Sequence, residues 1–182
     1  MLLKILGSLK ELDIKEISQD VNKRCIYNVY FPLPSKSPIL HINKSLTFGV
    51  EWSFYGAKQN YACILMVLHY IPMPRTESPL SIYTTKGFFR HDNRHGDIYL
   101  GLPSEFYPGV KNGIINYFNR VEFSGHYLAF DVLYARHATI SSSSYAFEKA
   151  TMYALDIMIN RALDTGVAVL KQIPAVEDMH LF

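Results

Sequence analysis

Apolar residues recur along the chain with two different periods, and the period changes near its middle. In residues 8–24, Leu9, Leu12, Ile17 and Val21 stand among charges at helical spacing, with Ile14 off the stripe. That predicts a short amphipathic helix beginning near Ser8. Residues 25–31 are aromatic and β-branched and predict a strand, stopped by Pro32 and Pro34, which cannot donate to a ladder. Residues 45–55 alternate, with Leu46, Phe48, Val50 and Trp52 on one face and Thr47, Glu51 and Ser53 on the other. A turn over 56–60 leads into 61–71, apolar on both faces and so placed centrally in a sheet, until Pro72 and Pro74 close it. Residues 79–90 and 97–102 predict two more strands around the polar loop 91–96.

The second half takes a helical period. Val110, Ile114, Tyr117, Phe118 and Val121 share one face, with Pro108 near the start. Residues 127–134 predict a strand. Phe147, Thr151, Ala154, Leu155, Met158 and Ala162 mark the strongest helix, over 145–164, with Ser144 as its N-cap and Gly166 as its stop. Residues 167–173 fit a last strand or a helix extension. Strands spaced this closely suit an antiparallel meander, because a parallel pair needs a crossover of about a dozen residues. The expected architecture is one α+β domain over residues 1–182. It is a mostly antiparallel sheet of five to six strands with two to three helices packed on one face.

Composition narrows the class. Hydrophobic residues are 49% and charged residues 19%, which excludes a disordered chain. The formal charge is +2, and no block of the sequence is strongly basic, so nucleic acid is disfavoured as the main ligand. Residues 25–74 carry only Lys36, Lys44, Glu51 and Lys58 as charges. Cys25 and Cys63 have no CxxC spacing and sit in apolar runs, so they are expected as buried thiols in a reducing cytoplasm. The N-terminal apolar stretch is short and broken by Lys4, and the longest apolar run, Ala62 to Leu68, is far below a membrane span of about 20 residues. Neither an export signal nor a membrane association is expected.

Several residue groups carry potential chemistry. Arg90-His91-Asp92-Asn93-Arg94-His95-Gly96-Asp97 concentrates imidazoles, guanidiniums and carboxylates. His91 and His95 are weak metal candidates, and His91, His95 and Asp97 form a candidate acid–base centre. The plainer reading is a solvated hairpin tip. Asp131, in an apolar strand near His126, Arg136 and His137, must find a partner if buried, which makes it a network member or a general base. Glu51 beside Trp52 either binds a ligand or faces water. Ser141 to Ser144 precede a helix and suit a cap or an anion. The acidic and apolar residues of 176–182 suit docking or a frayed end. There is no Gly-x-Ser-x-Gly elbow, no P-loop and no dinucleotide fingerprint, and no cofactor is expected.

The aromatic load (Tyr 13, Phe 11, Trp 1) without a catalytic signature points to a protein-interaction domain. A toxin-neutralising immunity protein, a small bacterial domain that plugs a toxin enzyme, is the narrower expectation. Trp52, Tyr55, Phe88, Phe89, Arg90 and Arg94 are the expected partner contacts. The alternative is a hydrolase-like enzyme using His91, His95, Asp97 and Asp131.

Overall fold

The computed structural model describes residues 7–17, 24–55, 59–72 and 76–172. Ten strands run through them. They are β1 (Gly7–Glu11), β2 (Tyr27–Phe31), β3 (Ile39–Ile42), β4 (Leu46–Phe54), β5 (Asn60–Tyr70), β6 (Ser78–Ile82), β7 (Gly87–Asp92), β8 (Gly96–Leu100), β9 (Leu128–Ala138) and β10 (Ala168–Lys171). The helices are a single turn, α1 (Ile14–Ile17), and two full helices, α2 (Tyr107–Arg120) and α3 (Ser144–Asp164). Eight strands form one mixed sheet, in the order β1-β4-β5-β9-β6-β2, with β8 also on β9 and β7 on β8. The pair β6–β9 is parallel; β3 and β10 pair separately and antiparallel.

This corrects the expected five-to-six-stranded α+β architecture. The molecule is mostly sheet, and α3 alone packs directly over it, along β4 and β5, while α2 lies mainly on α3. Three local differences produce the change. Residues 8–24 do not form one helix: residues 7–11 extend as β1 and pair with the free edge of β4, from Gly7↔Phe54 to Glu11↔Val50. An open edge supplies ladder hydrogen bonds that outweigh a weak local preference for helix. The β2 strand does not continue a meander; it pairs with β6, from Tyr27↔Ile82 to Phe31↔Ser78. The stretch 79–90 divides into β6 and β7; of the two readings of 167–173 the strand is the one that forms, as β10. Residues 18–23 and 173–182, including the tail considered for docking, lie outside the described residues.

The central elements follow their sequence periods. In β4 the alternating residues Leu46, Phe48, Val50 and Trp52 all enter the main core. β5 is buried on both faces: Ala62, Ile64, Met66 and Leu68 face the main core, and Tyr61, Cys63 and Leu65 face a second cluster with Leu12, Ile17 and Tyr134. Along α3 the buried side chains include Phe147, Thr151, Ala154, Leu155, Met158 and Ala162. Its N-cap is Ser143 rather than Ser144: the Ser143 hydroxyl accepts the Ala146 amide at 3.1 Å. Gly166 follows the helix at a φ of +70°, which favours glycine.

Two glycines inside α2 have a packing reason. A Cβ at Gly109 would stand 2.1 Å from the Ser144 carbonyl oxygen, and one at Gly113 would stand 2.7 Å from that of Glu148. The contacts advance together, so α2 and α3 run parallel with their backbones in close approach. Alanine is the better helix former by about 1 kcal/mol. At Gly109, however, the collision is with backbone that cannot swing away. Gly109→Ala is therefore expected to destabilise by about 1–3 kcal/mol, the usual range for overpacking. A urea midpoint equal to or above that of the unmodified chain would contradict the close approach.

Candidate functional site

The site begins with one extra residue in β9. Along the β5–β9 ladder, Leu65 pairs with Tyr134 but Met66 pairs with Val132, so Leu133 is bulged out. A bulge reverses the alternation of the strand beyond it. Phe130 and Val132 point into the main core, whereas Tyr134 and Arg136 turn to the opposite face. There Arg136 meets a row of residues across neighbouring strands, because Lys10 pairs with Glu51, Glu51 with Cys63 and Cys63 with Arg136.

Arg136 is 6% exposed. Its Nε donates to Cys63 Sγ at 3.1 Å and one terminal nitrogen donates to Glu51 Oε2 at 3.3 Å. The Tyr61 hydroxyl donates to Glu51 Oε1 at 2.8 Å, and Arg90 reaches the same oxygen at 3.4 Å. Glu51 thus does not stand on a wet face; its carboxylate is mostly buried and is the shared acceptor of three donors. A buried ion pair of this kind is costly to break, by about 3–5 kcal/mol when one partner is removed. Burial pushes the Cys63 thiol up to about 11, against the pull of Arg136, and raises the Tyr61 hydroxyl as well. Cys63 is therefore a neutral thiol, whereas Cys25, expected to be buried, is exposed.

The β7–β8 hairpin closes this cluster. β8 joins β9 through Leu100↔Arg136, and β7 pairs with β8 around a bulge at Phe89. The Phe89 ring lies 4.3 Å from the Arg136 guanidinium carbon, over its face. Between hairpin and β1 is a cleft of about 460 Å³, lined by Lys10, Glu51, Phe89, Arg90, Tyr134 and Arg136, among others.

The hairpin tip distributes its charged groups in opposite directions. His91 and Asp97 form an exposed cross-strand pair, Nδ1 to Oδ1 at 2.7 Å. His95 instead points inward, 2% exposed, with Nδ1 2.7 Å from Ser141 Oγ and its ring against Tyr55 and Tyr61. Asp92 accepts the amides of Arg94 and His95 within the turn, and those amides hold its carboxyl below the usual range. Arg94 lies over the Tyr55 ring at 4.8 Å. His91 and His95 are thus engaged by different partners on different sides. Among the described residues, no three His, Cys, Asp or Glu side chains are grouped so as to hold a metal ion.

Asp131 joins none of these groups. It lies before the bulge, and its Oδ2 is 2.9 Å from His69 Nε2, while His69 Nδ1 is 2.7 Å from Ser45 Oγ. Sequence reading did not single out Ser45 or His69, and their only signal is register: Leu46↔Leu68 places the preceding Ser45 beside His69. His137 donates from Nδ1 to the Gly101 carbonyl at 3.0 Å, and the His126 amide donates to Ser124 Oγ. The four serines are all engaged structurally: Ser141 with His95, Ser142 on the Tyr61 carbonyl, Ser143 as the cap and Ser144 on the Glu105 carbonyl. Trp52 is 6% exposed, on the helix-covered face. Phe88 is 60% exposed.

No known family and no curated protein sequence matches the chain. Among solved structures, it is similar to the crystal structure of ttk003000868 from Thermus thermophilus, at a TM-score of 0.50 and 15% identity. The match covers 72% of this chain and 18% of that one, so the chain spans a small part of the longer protein, and the likeness is one of fold. No helix among the described residues is long and apolar enough to cross a membrane.

His95 supplies a pH test of the tip. Burial lowers its pKa below 6.5, opposed by Asp92 and Glu51 and reinforced by Arg94 and Arg90. In the unfolded chain the imidazole takes up a proton near 6.5, while the folded ring does so only at lower pH. Stability is therefore complete above that value and declines as pH falls through it. His41, lowered by burial and by Lys171, contributes in the same window. Tm is expected to fall between about pH 7 and pH 5, and His95→Gln is expected to make that fall shallower. Equal slopes for both proteins would show that His95 is not held neutral.

Proposed function

We propose that the chain is a protein-interaction domain that meets its partner through the β7–β8 hairpin, and that the partner surface carries carboxylates around an apolar contact. The observation that supports this most is the exposure of β7. Residues 87–91 are all exposed, and among the described residues β7 pairs only with β8. Phe88 rests edge-on against Tyr99 but leaves most of its ring in water. Aromatic and arginine side chains of this kind are the groups that carry interface energy. The local acids are engaged internally, Asp92 by turn amides and Asp97 by His91, which leaves Lys86 and Arg94 as outward cations. The Phe89 bulge discourages indiscriminate strand pairing along the edge, so recognition rests on side chains.

The narrower form of this reading is an immunity protein whose hairpin enters the cleft of a toxin enzyme. A photoreactive benzoylphenylalanine in place of Phe88, in cells that naturally make the chain, tests the reading. One partner is expected to crosslink from position 88 and not from Leu170, which is exposed on β10. Lys86→Glu with Arg94→Glu is expected to abolish that crosslink while Tm changes little, since exposed substitutions cost within about 0.5 kcal/mol. Capture of the same species from both positions, or of none, overturns the proposal. In the immunity form, the captured partner is an enzyme inhibited at equal stoichiometry.

A hydrolase reading is favoured by a different observation, the hydrogen-bonded order Ser45–His69–Asp131. The ring nitrogens are exchanged relative to the usual serine nucleophile relay, but either can take the hydroxyl proton while the other faces the carboxylate. A fluorophosphonate probe tests it. Ser45 Oγ would form the phosphorus–oxygen bond, fluoride would leave, and the proton would pass to His69 Nδ1. Labelling mapped to Ser45 and lost in His69→Ala supports this reading; an unlabelled native chain rejects it.

A further inference from the structure

We infer that the groove between the end of β4 and the first half of α3 binds a planar aromatic ring carrying an anionic group, of the class of a nucleoside monophosphate. This lies on the helix-covered side of the sheet and is independent of the hairpin surface. Trp52 and Phe54 alternate on β4 and therefore share a face, with ring centroids 6.3 Å apart and planes at 23°. Tyr145, Lys149 and Tyr153 follow at i, i+4 and i+8 on α3, which stacks them along one helix edge. Tyr153 lies 6.0 Å from Trp52. Arg120, at the end of α2, completes the wall of a groove of about 490 Å³. That size is within the usual range for small-ligand sites, roughly 300–1,000 Å³.

Two features separate this groove from an ordinary core margin. First, Tyr145 and Tyr153 remain 54% and 41% exposed although they stand beside a buried tryptophan, so ring faces are available for stacking. Secondly, both charged residues of its lining are cations, and no carboxylate lines it. Lys149 sits over the Tyr145 ring at 5.2 Å. The neighbouring acids on α3 are turned to other partners: Glu148 accepts from Asn116 and Asp156 accepts from Asn160. Aromatic faces accept a base without regard to its hydrogen-bonding edge, and paired cations hold a phosphate by charge. A ring alone or an anion alone would use half of the groove.

Trp52 is the chain's only tryptophan, so its emission reports on this groove and nowhere else. The probe is AMP, titrated against the full chain with the indole excited selectively. A saturable change in Trp52 emission is expected, and Lys149→Ala or Arg120→Ala is expected to weaken it about tenfold, the equivalent of about 1.4 kcal/mol. Adenosine is expected to bind at least about fivefold more weakly than AMP, and inorganic phosphate to leave the emission unchanged. Tyr153→Ala, at a half-exposed position, removes the stacking face and is expected to abolish the response while the urea midpoint is kept. A short oligoadenylate distinguishes the sources of the same chemistry: tighter binding than AMP assigns a single strand, and equal or weaker binding assigns the free nucleotide. The inference fails if AMP produces no saturable change up to about 10 mM, weaker than millimolar affinity. It fails equally if adenosine matches AMP, or if the cation variants bind like the native chain.

Discussion

A carboxylate and a guanidinium withdrawn from water must satisfy each other, and Glu51 and Arg136 do so only because β9 yields one residue at Leu133. Without the bulge, the alternation that sends Phe130 and Val132 into the main core would send Arg136 there as well. An unpaired guanidinium among Ile64, Phe147 and Leu155 would not be tolerated. With it, the same strand serves two cores of different character. Its first half contributes apolar groups beneath the helices, and its second half contributes Tyr134 and Arg136 to the opposite face. The β7–β8 hairpin depends on that reversal, because β8 pairs with β9 beyond the bulge and Phe89 covers the guanidinium that the bulge exposes.

The two faces of the sheet therefore carry different tasks. The helix face is closed by α3, itself held by the close backbone approach of α2 at Gly109 and Gly113. The opposite face is closed by smaller pieces: Leu12 just after β1, the single turn α1 with Ile17, and Ile98 of the hairpin. The polar groups of that face are tied to one another: Glu51 accepts from Arg136, Tyr61 and Arg90. The tip of the hairpin is fixed from inside by the buried His95 on Ser141, so its exposed residues are presented on a held turn.

Legibility in the sequence followed the range of the interactions. The periods of β4, β5 and α3 are local, and the residues they marked are the buried ones. The pattern Leu9, Leu12, Ile17 suited a helix equally well as an edge strand followed by a turn, and only the open edge of β4 decided between them. Sheet order is a long-range property: nothing in residues 27–31 indicates that their partner is β6. The sequence marked β9 as ending at Tyr134, since Ala135-Arg136-His137 breaks the apolar run. In fact the strand continues to Ala138, paired on both sides, and the polar residue within it finds its partner in Glu51 some 85 residues away.

The candidate chemistry divides along the same line. Composition singled out the eight residues from Arg90 to Asp97 as one group, but a hairpin separates what a sequence places together. Cross-strand pairing puts His91 on Asp97, and the tight turn buries His95. Conversely, Ser45, His69 and Asp131 are widely spaced in the chain and meet because β4, β5 and β9 lie side by side. Trp52 shows both effects at once. Its alternation with Leu46, Phe48 and Val50 was readable, and its burial follows from that alternation. That it floors a groove with tyrosines from α3 depends on the helix being drawn down over β4 by the core beneath it. Where this molecule presents polar or aromatic groups to solvent, the presenting element is held by a buried contact remote in sequence, and that contact sets which groups can act together.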